Sequence, residues 1–259
     1  MQKTMTPGLG EGFEWAEASW GLALRCRAFG STRHGWTTRQ LRLRGSPEVE
    51  RDGWAAIGHA VGLTSDVVVR LAQVHGAGVH VATSITCGIP EADIVISDAG
   101  DRVVAVQVAD CAPILTTARS GEVVAASHAG WRGTAADVAG TTVRAVFDRY
   151  QTSPDMLLAA IGPCIGPCCY EVGDELPEAF QVKGWSGSDC ARWFVRRGGK
   201  LFLDIWRANA DQLAGAGVPE DQIFVSGVCT ACHYEWFNSY RREGPGTGRQ
   251  AGFIRPGRA

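Results

Sequence analysis

Val103-Val104-Ala105-Val106-Gln107-Val108-Ala109-Asp110-Cys111-Ala112-Pro113-Ile114-Leu115-Thr116-Thr117-Ala118-Arg119-Ser120-Gly121-Glu122-Val123-Val124-Ala125-Ala126-Ser127-His128-Ala129-Gly130-Trp131-Arg132-Gly133 contains three strands and the approach to a helix. Val103 to Val108 is an apolar run typical of a buried strand, and Ile114 to Thr117 and Val123 to Ala126 are two shorter strands. Ala118-Arg119-Ser120-Gly121 supplies the turn between the last two. With Arg119-Ser120 as a two-residue loop, Ala118 pairs with Gly121 and Cys111 falls opposite His128. Opposed residues of an antiparallel ladder have Cβ atoms about 4.5–5.5 Å apart, close enough to share a ligand. A turn at Ser120-Gly121 shifts the register by two and leaves the pair as diagonal neighbours. Pro113 cannot donate to a ladder, which predicts that its segment lies on an edge or at a bulge.

Beyond Gly133, the residues Ala135, Val138, Thr142, Val146 and Tyr150 recur at helical spacing and predict the buried face of one helix of about four turns. Upstream, Gly21 to Arg27 reads as a strand followed by an irregular loop carrying Arg33 and His34. Trp54 to Val61 reads as helix and Val79 to Thr83 as strand, with His75-Gly76 in the turn before that strand. Downstream, Met156 to Ile161 and Ile223 to Val225 read as strands and Asp204 to Leu213 as helix. Strands and helices are mixed without a βαβ period or an internal repeat, so the expected class is α+β, read as a single domain with mixed sheets over residues 1–259. Residues 1–20 are expected to form a loosely ordered N-terminal segment.

The chain has 259 residues, a hydrophobic fraction of 45% and a formal net charge of −2, enough for a large core and without a basic field to recruit nucleic acid. No apolar segment opens the sequence and no run approaches the ~18 apolar residues of a membrane span. A soluble, cytoplasmic protein without a nucleic-acid or membrane partner is expected. No feature of the sequence sets an oligomeric state. Nine cysteines, read without an export signal, are taken as reduced thiols. Cys229-Thr230-Ala231-Cys232-His233 fits the haem-attachment pattern formally, but half-buried thiols are the better reading.

Three residues stand out chemically: His75 in Gln73-Val74-His75-Gly76, Cys111 after Asp110, and His128 in His128-Ala129-Gly130-Trp131-Arg132-Gly133. Two imidazoles and a thiol make a three-ligand set with a fourth position open, the arrangement of a catalytic zinc site. Copper is the alternative, since Cu²⁺ outcompetes zinc at most N/S sites. Without metal, Cys111 is a candidate nucleophile activated by His128, with Asp110 or Gln73 orienting the pair. Asp110 is the preferred carboxylate partner of His128, and Asp93 the weaker candidate. Arg33, Arg132, Arg241 and Arg242 lie in polar or glycine-rich turns where a guanidinium can bind phosphate. His34, His59 and His80 lack such a context. Gly244 to Arg249 matches no P-loop or dinucleotide fingerprint.

The segments Ser31-Thr32-Arg33-His34-Gly35, Gln73-Val74-His75-Gly76, Ala109-Asp110-Cys111-Ala112-Pro113-Ile114, His128-Ala129-Gly130-Trp131-Arg132-Gly133, Ile161-Gly162-Pro163, Tyr170-Glu171-Val172-Gly173 and Ser239-Tyr240-Arg241-Arg242 resemble the YfiH/YlmD-like family. These proteins were first described as multicopper polyphenol oxidases and are now regarded as purine nucleoside phosphorylases with adenosine deaminase activity. The resemblance implies zinc on His75, Cys111 and His128, purine nucleoside and phosphate as substrates, and an α+β layered fold shared with a bacterial deamidase toxin. It also implies that adenosine, inosine, guanosine and methylthioadenosine yield free base and a ribose 1-phosphate, and that adenosine is deaminated to inosine. Trp36 stands where the family usually has a second glycine, a departure expected to reshape the loop bearing Arg33. The competing readings are a Cys/His amide hydrolase acting on peptidoglycan precursors, a copper polyphenol oxidase, and a non-catalytic metal-binding module.

Overall fold

The computed structural model describes residues 5–64 and 67–257. In chain order its elements begin with β1 (Phe13–Ala18), β2 (Gly21–Cys26), β3 (Arg33–Thr37), α1 (Pro47–Ala60), β4 (Val68–Val69), β5 (Val79–Ala82) and β6 (Ile94–Ser97). Next come β7 (Val103–Val108), β8 (Ala112–Ala118), β9 (Val124–Ala129), α2 (Trp131–Ala135), α3 (Val138–Tyr150), β10 (Leu157–Ile161) and β11 (Glu171–Val172). The chain continues through α4 (Leu176–Val182), α5 (Gly187–Trp193), β12 (Phe194–Arg197), β13 (Lys200–Leu203) and α6 (Ile205–Gly215). The last elements are β14 (Ile223–Val225), α7 (Tyr240–Glu243) and β15 (Gln250–Arg255).

Two six-stranded mixed sheets, ordered β1-β2-β3-β15-β7-β4 and β14-β10-β8-β9-β6-β5, pack face to face, with a small third sheet β11-β13-β12 beside them. Alternate residues of the same strand serve different layers, as a side-chain period of two requires. Val104 and Val106 of β7 meet Leu115, Val124 and Ala126 between the sheets, together with Leu24 and Trp36. Val103 and Ala105 face the other way, onto Trp54, Ile57 and Val61 at α1. Ile114 and Ala125 turn outward onto Val138, Val143 and Val146 of α3 and onto Ala208 and Leu213 of α6. The result is an α/β/β/α layering of the α+β class. It explains why β7, β8 and β9 read as near-continuous apolar runs: both faces are buried, and each fully buried Val, Leu or Ile contributes about 1.5–3 kcal/mol.

Several expectations change. A turn does close over Arg119-Ser120, with the Gly121 N–H donating to the Ala118 carbonyl (2.8 Å), but the ladder closes further out: the Ala118 N–H donates to the Val123 carbonyl (2.9 Å), while Arg119 donates across to Met156 (2.9 Å). The register is the one shifted by two, with Pro113 opposite His128 and Thr117 opposite Val124. Nor is Pro113 on an edge, since β8 lies between β10 and β9. The proline is tolerated there because its missing N–H faces the side where β10 ends: pairing with β10 starts at Ile114–Ile161. The predicted single helix is two, α2 and α3, broken by Asp137 in the left-handed region (φ 59°), whose carboxylate caps α3 by accepting from Gly140 (3.2 Å). Arg33 and His34 sit on a regular strand, β3, paired with β15, and not in a loop. Within the segment expected to be loose, β1 pairs with β2 along its whole length.

Candidate active site

The three candidate ligands come from three different connections and converge. His75 is in the loop before β5, Cys111 immediately precedes β8, and His128 is the penultimate residue of β9. Their ligand atoms lie within 4.8 Å of one another, a group that could hold a metal ion. The two imidazole centroids are 4.8 Å apart in an edge-to-face arrangement. Gly130 makes the convergence possible, because a Cβ there would lie 3.0 Å from Cys111 Sγ and 3.3 Å from His75 Cδ2.

Asp93, at the entrance to β6, organises the trio. Its carboxylate is completely buried and accepts from His128 Nδ1 at 2.8 Å. The same carboxylate accepts the backbone N–H groups of Val74 (3.3 Å), His75 (3.0 Å) and Gly76 (2.7 Å). These bonds hold His75 in the left-handed region (φ 63°), a conformation that costs a non-glycine residue of order 1 kcal/mol or more. The partner on Nδ1 leaves Nε2 of His128 as the ring nitrogen that a metal ion would use. Burial alone would raise the Asp93 carboxyl, but the His128 and backbone hydrogen bonds hold it below its usual range.

Burial would likewise push the Cys111 thiol up, yet the charge of His128 and hydrogen bonds from His128 and His75 outweigh it and bring the thiol down to about 6. Burial opposes a proton on His128, but the Cys111 thiolate and the Asp93 carboxylate raise its imidazole to about 9. Between these two values the metal-free pair is thiolate and imidazolium. Metal binding there must displace one proton from His128 and none from Cys111. Affinity for a divalent metal ion is therefore expected to rise about tenfold per pH unit between about pH 6 and 9, and to fall more steeply below pH 6 as the thiol also takes up a proton. Chelator competition across this range measures it, and a flat profile between the two values contradicts the charged pair.

The trio lies on the wall of a cavity of about 690 Å³ lined also by Gln73, Asp110, Trp131, Arg132, Tyr170, Tyr240, Arg241 and Arg249. That volume suits a small-molecule ligand. The Arg132 guanidinium lies 4.3 Å from the centroid of the Trp131 ring. Arg249 donates to the carbonyls of Thr247 (3.2 Å) and Gly248 (2.9 Å), and burial together with the nearby Arg44 holds its guanidinium below the usual range.

The other sequence candidates fall elsewhere. Asp110 is not the partner of His128. It accepts from Thr230 Oγ1 (2.6 Å) and from the Arg241 N–H (2.6 Å), tying two distant segments to the Cys111 loop. Gln73 exchanges both side-chain hydrogen bonds with the backbone of Gln107 (2.7 and 2.8 Å), so it anchors the His75 loop to β7 and does not orient the Cys111–His128 pair. Arg33 lines a separate cavity with Glu17, Arg25 and Val61. The Arg242 guanidinium lies 4.8 Å from the centroid of the Tyr234 ring and does not line the site cavity, whereas its neighbour Arg241 does. Trp36 is buried between the sheets and donates to the Pro113 carbonyl (3.1 Å), so the departure from the glycine pattern braces the start of β8 two residues after Cys111. Arg249, Tyr170 and Tyr240 were missed. The available signal for Asp93 was a single acid at the head of the apolar run Ile94-Val95-Ile96.

This layered fold and site place the chain among known proteins. Residues 41–256 match the family described as multi-copper polyphenol oxidoreductase laccase, and the chain belongs to that family, which includes the YfiH and YlmD proteins. Purine nucleoside phosphorylase YfiH of Escherichia coli K12 is 41% identical over 186 residues, 72% of each chain. Purine nucleoside phosphorylase YlmD of Geobacillus stearothermophilus is 38% identical over 191 residues, 70% of this chain and 69% of its own. A crystal structure of YlmD from Geobacillus stearothermophilus superposes with a TM-score of 0.80 at 30% identity, covering 91% of this chain and 96% of that one. Adenosine deaminase RL5, from an unknown prokaryotic organism, is 40% identical over 149 residues, 57% of this chain and 55% of its own. Among the described residues, no helix is long and apolar enough to cross a membrane.

Proposed function

We propose that the chain is a purine nucleoside phosphorylase that also deaminates adenosine, with zinc held by His75, Cys111 and His128. The observation that carries this reading is the convergence of two imidazoles and a lowered thiol beside three arginines and two tyrosines in one cavity. The names of the relatives, two phosphorylases and a deaminase, support the same chemistry. The donor set fits zinc: it is tetrahedral-capable N/S with a fourth position open, and Gly130 leaves room between the ligands. Zinc there supplies a water of lowered pKa and a Lewis acid.

The chain's own residues bind and orient. Arg132, Arg241 and Arg249 provide guanidinium groups for a phosphate whose oxygen bonds to C1′ as the glycosidic C–N bond breaks. Burial pushes the Tyr170 phenol up, so it stays protonated and offers a neutral donor to the departing base. Tyr240 and Trp131 offer aromatic faces to a purine.

Adenosine incubated with the zinc-loaded protein should give inosine without phosphate, and adenine with ribose 1-phosphate once phosphate is added. Base release independent of phosphate refutes phosphorolysis. Arg241→Gln and Arg249→Gln should each raise the KM for phosphate by about 10-fold or more, the scale of one lost charged hydrogen bond, with little change in deamination. Arg33→Gln serves as the control and should leave both unchanged.

One observation favours a second reading. The metal-free Cys111–His128–Asp93 line is a thiolate, an imidazolium and an orienting carboxylate, the arrangement of a cysteine amide hydrolase. Chelation separates the two, since it abolishes zinc chemistry and leaves a thiol nucleophile active. A multicopper oxidase is disfavoured by the donor count: among the described residues only His75 and His128 join the site, while His34 is spent on Thr32 and Cys26 and His59 lies on α1.

A further inference from the structure

Four other cysteines also converge. Cys168 and Cys169 sit in the turn after Gly166, and Cys229 and Cys232 in a turn some sixty positions further on; their sulfur atoms all lie within 4.8 Å of one another. Cys232 Sγ is 3.4 Å from both Cys168 Sγ and Cys169 Sγ, too far for a disulfide, whose S–S bond is about 2.05 Å. Four thiolates around a zinc ion at about 2.3 Å stand about 3.8 Å apart, a separation that lies between the 3.4 Å of these two pairs and the 4.8 Å limit of the whole cluster. Each turn is closed by its own backbone bonds, Cys169 N–H to the Gly166 carbonyl (3.0 Å) and His233 N–H to the Cys229 carbonyl (3.0 Å). The Gly166 N–H donates to Cys229 Sγ at 3.2 Å, an outer contact of the kind that orients a ligating sulfur. The cysteine pair Cys229-x-x-Cys232 has the spacing of structural zinc ligands, a signal in the sequence that the reading as reduced, half-buried thiols leaves unused.

We propose that Cys168, Cys169, Cys229 and Cys232 form a closed tetrathiolate site for a second, structural zinc ion. Its place in the fold states its role. Tyr170, on the wall of the catalytic cavity, follows Cys169 directly, and Arg241 Nη1 donates to the Cys169 carbonyl (3.3 Å). Thr230, between the second pair, donates to Asp110 (2.6 Å), which precedes Cys111. Four coordinate bonds across these turns hold that wall together. With Cys168 and Cys232 exposed and Cys169 half-buried, an empty cluster leaves thiols open to solvent.

The test is metal stoichiometry of the full chain purified in reductant and loaded with zinc. Two zinc ions per chain are expected, one in Cys111→Ala, and one in the double variant Cys168→Ser/Cys232→Ser. One zinc in the unsubstituted protein that the double variant retains overturns the proposal. A second measurement does not depend on the folding of that variant. Cobalt(II)-loaded Cys111→Ala should show the intense thiolate charge-transfer and tetrahedral d–d bands of a four-sulfur site. Absence of those bands, or a disulfide within the cluster found in the zinc-loaded protein by non-reducing peptide mapping, rejects the site.

Discussion

Cys111→Ala is expected to reduce both proposed nucleoside activities by at least about 10³-fold and to remove the zinc proposed at this site, because it deletes the only sulfur of a three-ligand set and the charge partner of His128. The fold should survive. Cys111 lies outside the β8 ladder, which begins at Ala112, and it is half-buried beside a cavity and not packed in the core. A catalytic site with an open position also contributes less to folding than a closed one. Zinc analysis, circular dichroism and turnover of adenosine with and without phosphate check the three parts of this expectation. Turnover near that of the parent protein in Cys111→Ala shows that the chemistry happens elsewhere. Retained turnover together with lost zinc points to a metal-independent reaction.

Asp93→Asn should weaken zinc binding by about 10–100-fold, the usual effect of losing the carboxylate behind a metal-ligating histidine. The amide can still accept from one side, but its NH₂ group must then face a donor, either His128 Nδ1–H or the backbone N–H groups of Val74 and Gly76. Leaving one buried donor unsatisfied costs about 1–3 kcal/mol of stability. The charge is lost as well, so His128 should give up its proton at a lower pH than in the parent protein. That titration, followed by NMR of the imidazole, reports on the Asp93–His128 bond in a way that general destabilisation cannot imitate. Asp110→Asn is the comparison: its effect should fall on the Thr230 and Arg241 contacts and leave the His128 titration unchanged. Equal shifts in both variants remove the distinction drawn between the two acids.

Local pattern determined a good deal. The strands β7, β8, β9, β10 and β14 and the helix α6 were legible because burial imposes a period that survives in sequence: apolar runs for strands covered on both faces, helical spacing where one face meets the core. The ligands were legible too, since each of the three is a metal-grade side chain closing a short apolar run, with a glycine one or two residues beyond both histidines. What periodicity does not encode is which loop faces which. Asp93 and Asp110 are both acids beside candidate ligands; the strand order β8-β9-β6 brings Asp93 against His128, while a left-handed turn at Asp110 (φ 84°) aims its carboxylate at Thr230 and Arg241 instead. The hairpin register went the same way: the turn over Arg119-Ser120 forms, with the Gly121 N–H donating to the Ala118 carbonyl (2.8 Å), but it sits inside a longer loop because Ala118 bonds to Val123 and Arg119 to Met156 on a neighbouring segment. Arg33 and Arg249 have equal standing as guanidinium groups in a sequence. The packing of β3 against α1's end sends the first away from the site, and the loop before β15 brings the second to it. The sequence by itself thus determined the layers and the atoms able to bind metal, because those depend on each residue's own burial and chemistry; the tertiary structure alone decided their partners, because a hydrogen bond between residues 35 positions apart exists only after non-neighbouring strands have paired.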